Sequence, residues 1–178
     1  MERKPLNKLV VGTIDLPQGK VDITDPCYAK DVWCRMNGVK IAGGTYECVV
    51  WKQERLSYTD PSQTYSVNGA IGIYLNGDVP DIEDMGYIGE IGVDSGMAGF
   101  FQDKPDYPNA EWSEFCDMLG LGRRNHEGVW LTENGFFSLT ADGDGGYDVF
   151  AMRDKTGIIT ALLVVFLNYE EDEAETDE

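Results

Sequence analysis

The sequence predicts a mainly β single domain, either a sandwich or a barrel, with one or two short helices. Three observations predict this fold class: short apolar runs recur along the chain, glycine interrupts or ends many of them, and one late run is almost continuously apolar. The chain has 178 residues, of which 42% are hydrophobic, and this is enough for one hydrophobic core. We expect residues 1–168 to form this domain and residues 169–178 to form an acidic, disordered tail.

Two of the predicted strands show their burial in the sequence. In the segment 45–53, Tyr46, Cys48 and Val50 alternate with their neighbours, which predicts that they share one face. The segment 158–167 is nearly all apolar, which is typical of a central strand covered on both faces. In chain order, the predicted strands are residues 9–16, 20–24, 45–53, 67–75, 86–93, 98–101, 135–140, 147–153 and 158–167.

One helix is predicted after Asn109, which can cap it, and Gly120 suits its end. Its apolar stripe has the i, i+3, i+4, i+7 spacing and consists of Trp112, Phe115, Cys116 and Leu119. A second, shorter helical turn is predicted at Asp25-Pro26, because aspartate is a good cap and proline is tolerated at the first helical position. Its shared face would consist of Tyr28, Val32 and Met36.

The chain is strongly acidic. It has 32 acidic and 14 basic residues, a formal net charge of −18 and a pI near 4.2. Seven of the acids lie between Glu170 and Glu178, and −11 remains without them. Such a surface disfavours direct binding to a nucleic-acid backbone, which requires lysine and arginine. It suits a basic partner or a cation, or it serves solubility alone.

The cysteines and the apolar runs indicate a compartment. Four cysteines occur without a Cys-x-x-Cys pair, and no signal peptide is visible after Met1. The longest late apolar run, residues 161–167, is too short to span a bilayer. We therefore expect a cytoplasmic protein with reduced thiols and no membrane association.

Three local strings stand out, and together with Trp33-Cys34 and Gly44-Thr45-Tyr46 they resemble a known family. They are ITDPCY at residues 23–28, VDSGMAGFF at residues 93–101 and DGDGGY at residues 142–147, called below the first, second and third motifs. From about residue 19 to residue 166, the chain resembles the bacterial and phage proteins grouped as domain of unknown function 4241. The resemblance implies a β-rich fold and a setting among phage and mobile-element genes, and it implies no particular activity.

Each motif contains an aspartate at a turn, namely Asp25, Asp94 and Asp144. If the fold brings them together, three carboxylates could hold Mg²⁺ or Ca²⁺ and support metal-dependent hydrolysis. Each also has a purely structural explanation. Asp25 can act as a cap, Asp94 can accept local hydrogen bonds in a turn, and Asp144-Gly145 is a two-residue hairpin signal.

The motifs also supply candidate ligand-binding residues. Aromatic rings could stack a flat ligand beside glycine-rich turns, although aromatic residues of β domains usually lie in the core. The candidates are Tyr28, Trp33, Ser95, Gly96, Gly146 and Tyr147. The one histidine, His126, lies in a polar loop without a nucleophile elbow, so a dyad with Cys27 or Ser95 is disfavoured.

The sequence favours a binding protein over an enzyme. The leading hypothesis is a cofactor-free acidic inhibitor, of the anti-CRISPR kind, that docks on a basic nucleic-acid-processing protein such as a defence nuclease. The alternatives are a metal-dependent nuclease or hydrolase that uses Asp25, Asp94 and Asp144, and a protein that sequesters a small nucleotide-like ligand. The sequence does not indicate an oligomeric state.

Overall fold

The computed structural model describes residues 7–76, 81–107, 111–123 and 128–167. These residues contain eleven β-strands, one α-helix and two short 3₁₀ turns, Ile82–Asp84 and Leu121–Arg123. The strands are β1 Asn7–Leu16, β2 Lys20–Thr24, β3 Met36–Lys40, β4 Gly44–Leu56, β5 Thr64–Leu75, β6 Gly86–Val93, β7 Met97–Phe101, β8 Val129–Leu131, β9 Gly135–Leu139, β10 Gly145–Arg153 and β11 Ile159–Val165, and the helix is α1 Trp112–Leu119.

The strands form two open antiparallel sheets that enclose one main core. The larger sheet has the order β1-β4-β5-β11-β10-β6, and the smaller has the order β3-β2-β7-β9-β8. The main core cluster draws residues from both sheets, including Val50, Leu162, Ile23 and Phe136. The chain is therefore a β sandwich, and the mainly β fold class predicted above is confirmed.

The two strands for which the sequence predicts a pattern of burial, β4 and β11, show that pattern. In β4, Tyr46, Cys48 and Val50 point into the main core, while Val49 and Trp51 belong to a second cluster on the outer face. In β11, Leu162 and Val164 join the main core, and Leu163 joins the outer cluster. Strand β11 lies between β5 and β10, so it is central and covered on both faces.

Each sheet also has a covered outer face. On the larger sheet, Met85 packs over the outer cluster from the connection between β5 and β6. On the smaller sheet, Trp130 stacks on Phe137 with ring centroids 5.2 Å apart, and its indole nitrogen donates a hydrogen bond to the Leu121 carbonyl. None of the helices in the described ranges is long and apolar enough to cross a membrane.

The helical turn predicted at Asp25-Pro26 is wrong. The segment after β2 forms isolated turns, and Met36 begins strand β3. The Tyr28 amide donates to the Asp25 carbonyl, which closes one turn. The Arg35 guanidinium then holds the loop by donating to the Tyr28 carbonyl, so the backbone does not continue into a helix.

Helix α1 is confirmed, with a different start. Glu111 occupies the cap position without a side-chain cap bond, and the predicted cap Asn109 lies outside the described residues. Gly120 ends the helix at φ 74°, a left-handed conformation that favours glycine. Of the predicted apolar stripe, Phe115 and Leu119 are buried, whereas Trp112 is 51% exposed at the rim.

Candidate functional site

The three motifs meet at one end of the sandwich. The first begins within β2, whose last residue Thr24 pairs with Gly99 in β7, within the second motif. The second begins at the end of β6, where Val93 pairs with Gly145 of the third motif at the start of β10. Strand pairing thus brings together residues that are 75 positions apart in the first case (99 − 24) and 52 in the second (145 − 93).

The Asp25 carboxylate joins the first motif to the second. Asp25 is fully buried. Its Oδ2 accepts hydrogen bonds from the backbone amides of Asp94 at 2.9 Å and Ser95 at 2.8 Å. Its Oδ1 accepts one from the Cys27 amide and one from the Ser95 hydroxyl, both at 2.8 Å. Both oxygens are therefore engaged by donors of the protein, and this carboxylate acts as a structural link.

The third motif packs against the second through Thr140. The Thr140 amide donates to the Gly96 carbonyl at 2.9 Å, and the Thr140 hydroxyl donates to the Gly143 carbonyl. Gly96 has φ 68°, and a Cβ there would lie 3.8 Å from the Gly143 Cα, so the two turns are in close contact. The hairpin predicted at Asp144-Gly145 is wrong, because β9 and β10 belong to different sheets and this turn connects them.

The candidate stacking residues do not form a common surface. Tyr147 is buried in the main core, edge-on to Phe166, and its hydroxyl donates to the Gly143 carbonyl at 2.7 Å. Trp33 is 92% exposed on the loop between β2 and β3. Tyr28 is partly buried, and burial together with hydrogen bonds to Asp94 and Cys34 raises its pKa. The three rings thus occupy a core, a surface and an intermediate position.

Cys27 lies beside Asp25 in a site that suppresses thiolate formation. Burial and the negative charge of Asp25 raise the pKa of Cys27 to about 11, although a hydrogen bond with Ser95 opposes the shift. A thiol with this pKa is protonated at neutral pH and is a poor nucleophile. His126, with which a dyad is disfavoured from the sequence, lies outside the described residues.

Of the three aspartates of the metal hypothesis, Asp94 and Asp144 lie at the same end of one strand pair, whereas Asp25 is engaged by other groups. Val93 and Gly145 form the last pair of the β6–β10 ladder, Asp94 follows Val93 and Asp144 precedes Gly145, and both aspartates are exposed. The Asp25 oxygens are directed instead at amides and a hydroxyl. In the part of the chain that the structure describes, no group of three or more His, Cys, Asp or Glu side chains is placed to hold a metal ion.

Two buried cations beside the motifs were not anticipated from the sequence. The Arg35 side chain is 1% exposed and donates to Asp22 at 3.1 Å. The Lys104 side chain is also 1% exposed and donates to the Pro105 carbonyl, and burial and the charge of Arg35 lower its pKa. Their neighbours in space are distant in sequence or lie in irregular loops, so no periodic pattern reveals them.

A line of carboxylates runs beside the motifs along β6 and β10. Glu90 lies directly opposite Asp148 in the ladder, and Asp94 and Asp144 are the residues next to its last pair, Val93 with Gly145. Because Tyr147 and Val149 face the core, Asp148 faces outward. We call Glu90, Asp94, Asp144 and Asp148 the acidic edge. Among the described residues, no lysine or arginine forms an ion pair with any of the four.

An exposed aromatic ring adjoins the acidic edge. Tyr87, in β6, is 61% exposed and lies edge-on to Phe150 of β10, with ring centroids 6.0 Å apart. The outer side of this strand pair therefore combines the carboxylates of Glu90 and Asp148 with one accessible tyrosine, and Asp94 and Asp144 follow at the end of the pair, a composition suited to contact with a cationic surface.

Comparison of the chain with protein-family models, with curated proteins and with solved structures found no match. The resemblance of the three motifs to domain of unknown function 4241 stays a prediction.

Proposed function

We propose that the protein is a non-catalytic binding protein that docks its acidic edge, with Tyr87 as an anchor, on a basic surface of a partner protein. The partner class we propose is a nucleic-acid-processing protein of the bacterial host, such as a defence nuclease, because its substrate groove must be rich in lysine and arginine. In this proposal the protein acts in the cytoplasm as a phage or mobile-element inhibitor. The free thiols of Cys27, Cys34, Cys48 and Cys116 suit a reducing compartment.

The observation that carries the proposal is the pairing of Glu90 with Asp148. Like charges directly opposite each other in a ladder destabilise a sheet, and here no described cation offsets them. A basic partner would remove this repulsion on binding. Complementary charge would also speed association and make it sensitive to salt.

The exposed Tyr87 ring favours an interface with specific contacts over a non-specific electrostatic attraction between the two proteins. Interface hot spots are enriched in tyrosine, and they lie among contacts that exclude water. The Tyr87 ring is held by Phe150 from the adjacent strand, so little conformational freedom would be lost on binding.

The experiment is a capture from bacterial lysate followed by a binding measurement with the recovered protein. The test variant neutralises the acidic edge with Glu90→Gln, Asp94→Asn, Asp144→Asn and Asp148→Asn. The matched control makes the same change in charge at exposed sites elsewhere, with Glu54→Gln, Glu83→Gln, Glu114→Gln and Glu133→Gln. Both are run at about 50 mM and about 200 mM salt, because charge-driven binding weakens over this range.

We expect a basic nucleic-acid-processing protein to bind the wild type and the control variant, and to lose about ten-fold or more in affinity for the acidic-edge variant. Tyr87→Ala should also weaken binding, whereas Tyr58→Ala, which truncates a tyrosine that is 92% exposed elsewhere, should not. Recovery of no basic protein at either salt concentration would refute the proposal. Equal losses in both four-site variants would show that net charge alone is responsible.

A further inference from the structure

A cavity lies at the other end of the sandwich from the three motifs. Its volume is about 610 Å³. It is lined by the start of β2, the end of β3, the end of β10 and the turn before β11. At this end the two sheets are joined by a parallel bridge between Ile41 and Ile159. The cavity is therefore separate from the acidic edge, with β2 and β10 extending between the two regions.

Three cations line this cavity in a chain whose net charge is −18. Lys20 and Lys40 are direct register partners across β2 and β3, and both are exposed. Arg153 contributes the third charge from the other sheet. Within the described ranges, none of the three forms an ion pair with a carboxylate. Two lysines directly opposite each other repel, so the fold keeps an uncompensated positive charge here.

The turn before β11 fixes the side chains of Arg153 and of the neighbouring Asp154 through hydrogen bonds. Asp154 Oδ1 accepts hydrogen bonds from the amides of Thr156 at 2.8 Å and Ile158 at 3.0 Å. This carboxylate is thus engaged in the turn. The Arg153 Nη1 donates to the Gly157 carbonyl at 3.0 Å, which holds the guanidinium in place and leaves its other nitrogens available.

Three isoleucines form an apolar part of the cavity wall. Ile41 and Ile159 are buried, and Ile158 is 47% exposed. A site with fixed cations next to exposed aliphatic surface suits a small molecule with a charged end and an apolar body.

We propose that this cavity binds a small phosphomonoester, with its phosphate among Lys20, Lys40 and Arg153 and its apolar body on Ile158. A phosphomonoester carries close to two negative charges at pH 7, and a guanidinium matches its oxygens with a two-pronged hydrogen bond. The volume lies within the range of about 300–1,000 Å³ that is usual for small-molecule sites. A nucleic-acid chain is disfavoured as the occupant, because a protein with a net charge of −18 would repel a polyanion that extends beyond the cavity.

The test is an NMR titration of the ¹⁵N-labelled chain at constant ionic strength with phenyl phosphate, inorganic phosphate and phenol. We expect phenyl phosphate to shift the amides of Lys20, Lys40, Ile41 and Ile159. Inorganic phosphate should act on the same amides with about ten-fold lower affinity, because it lacks the apolar body. Phenol should bind more weakly still. If phenyl phosphate binds no more tightly than inorganic phosphate, the role of the apolar wall is refuted.

Two double variants distinguish binding at this site from an effect of the net charge of the protein. Lys20→Gln with Lys40→Gln should weaken phenyl phosphate binding by about ten-fold or more. Lys8→Gln with Lys30→Gln removes the same charge at exposed positions away from the cavity, and should weaken it less than about three-fold. Equal weakening in both pairs, or no shift of the lining amides up to about 10 mM phenyl phosphate, would overturn the proposal. Unchanged thermal melting of both pairs, or an increase for the first, would show that the fold is retained.

Discussion

At the scale of single residues, Asp25 has the largest structural role among the candidate side chains. Four donors converge on its carboxylate, and three of them are backbone or side-chain groups of the second motif, about 70 positions further along the chain. Hydrogen bonds to an ionised acceptor are stronger than neutral ones, and the site is closed to water. Asp25 therefore fixes the relative position of the two motifs.

Replacement of Asp25 by Asn should destabilise the protein by about 2–4 kcal/mol. The amide keeps the size of the side chain, but one acceptor oxygen becomes a donor that faces other donors, and buried polar groups lose their partners. Asp144→Asn, at an exposed position in the third motif, should stay within about 0.5 kcal/mol of the wild type. Urea unfolding followed by tryptophan fluorescence measures both. A loss below about 1 kcal/mol for Asp25→Asn would show that its hydrogen bonds do not hold the motifs together.

The sequence could predict part of this site. The sequence predicts Asp25 as the cap of a helical turn; the helical turn does not form, but the carboxylate does accept a hydrogen bond from the Cys27 amide two residues away. Its bonds to Asp94 and Ser95 depend on the pairing of β2 with β7, and no local pattern contains that information. The buried Arg35 escaped prediction for the same reason, since its guanidinium partners, Asp22 among them, lie across an irregular loop.

At the scale of elements, the bounds of a strand are predicted accurately where the sequence has a clear apolar run that ends at a glycine or a turn residue. The bounds of β2 and β6 were predicted to the residue, because glycine or a turn residue limits both runs. Strand β8 escaped prediction because it has only three residues, Val129–Leu131. Strand β3 escaped because it is mostly polar, and because Gly38 within it has φ 60°. Short or polar edge strands depend on their neighbours for their conformation.

The two-sided burial of β11 gives a prediction for adjacent residues. Leu162 and Leu163 point to opposite faces, and both are fully buried. Leu162→Ala and Leu163→Ala should each cost about 2–5 kcal/mol, because each leaves a cavity in a packed cluster. Ile158→Ala, at a position that is 47% exposed, should cost less than about 1.5 kcal/mol. Chemical denaturation of the three variants tests this. A small loss for Leu163→Ala alone would mean that the outer face of the larger sheet is poorly packed.

At the scale of the whole molecule, exposed charge is distributed unevenly over the surface of the sandwich. The acidic edge lies at one end of the sandwich, and the cations of the cavity lie at the other. The net charge of −18 makes the folded state repel itself. The composition predicts that the net charge is negative. The local clusters of acidic and of basic side chains arise from strand register, which pairs Glu90 with Asp148 and Lys20 with Lys40.

Salt should therefore stabilise the protein. Raising NaCl from about 10 mM to about 300 mM shortens the screening length from about 30 Å to less than 8 Å. We expect the midpoint of thermal unfolding to rise by about 2–4 °C for each kcal/mol of repulsion that is removed. Melting curves followed by circular dichroism measure it. The acidic-edge variant, with four fewer negative charges, should show a smaller rise than the wild type. A midpoint that falls with salt would show that attractive ion pairs dominate.

The position of β11 also determines when the larger sheet can be completed during synthesis. The ribbon β1-β4-β5 and the ribbon β10-β6 touch the same strand from opposite sides, and that strand is the last one in the described chain. A nascent polypeptide that has emerged from the ribosome only as far as residue 158 holds two separate ribbons whose inner edges have unpaired backbone groups. Seven residues, Ile159–Val165, then close the gap from both sides in one step. Until they emerge, both open edges are available to any other extended chain, so the larger sheet stays exposed to misassembly until Ile159–Val165 are in place.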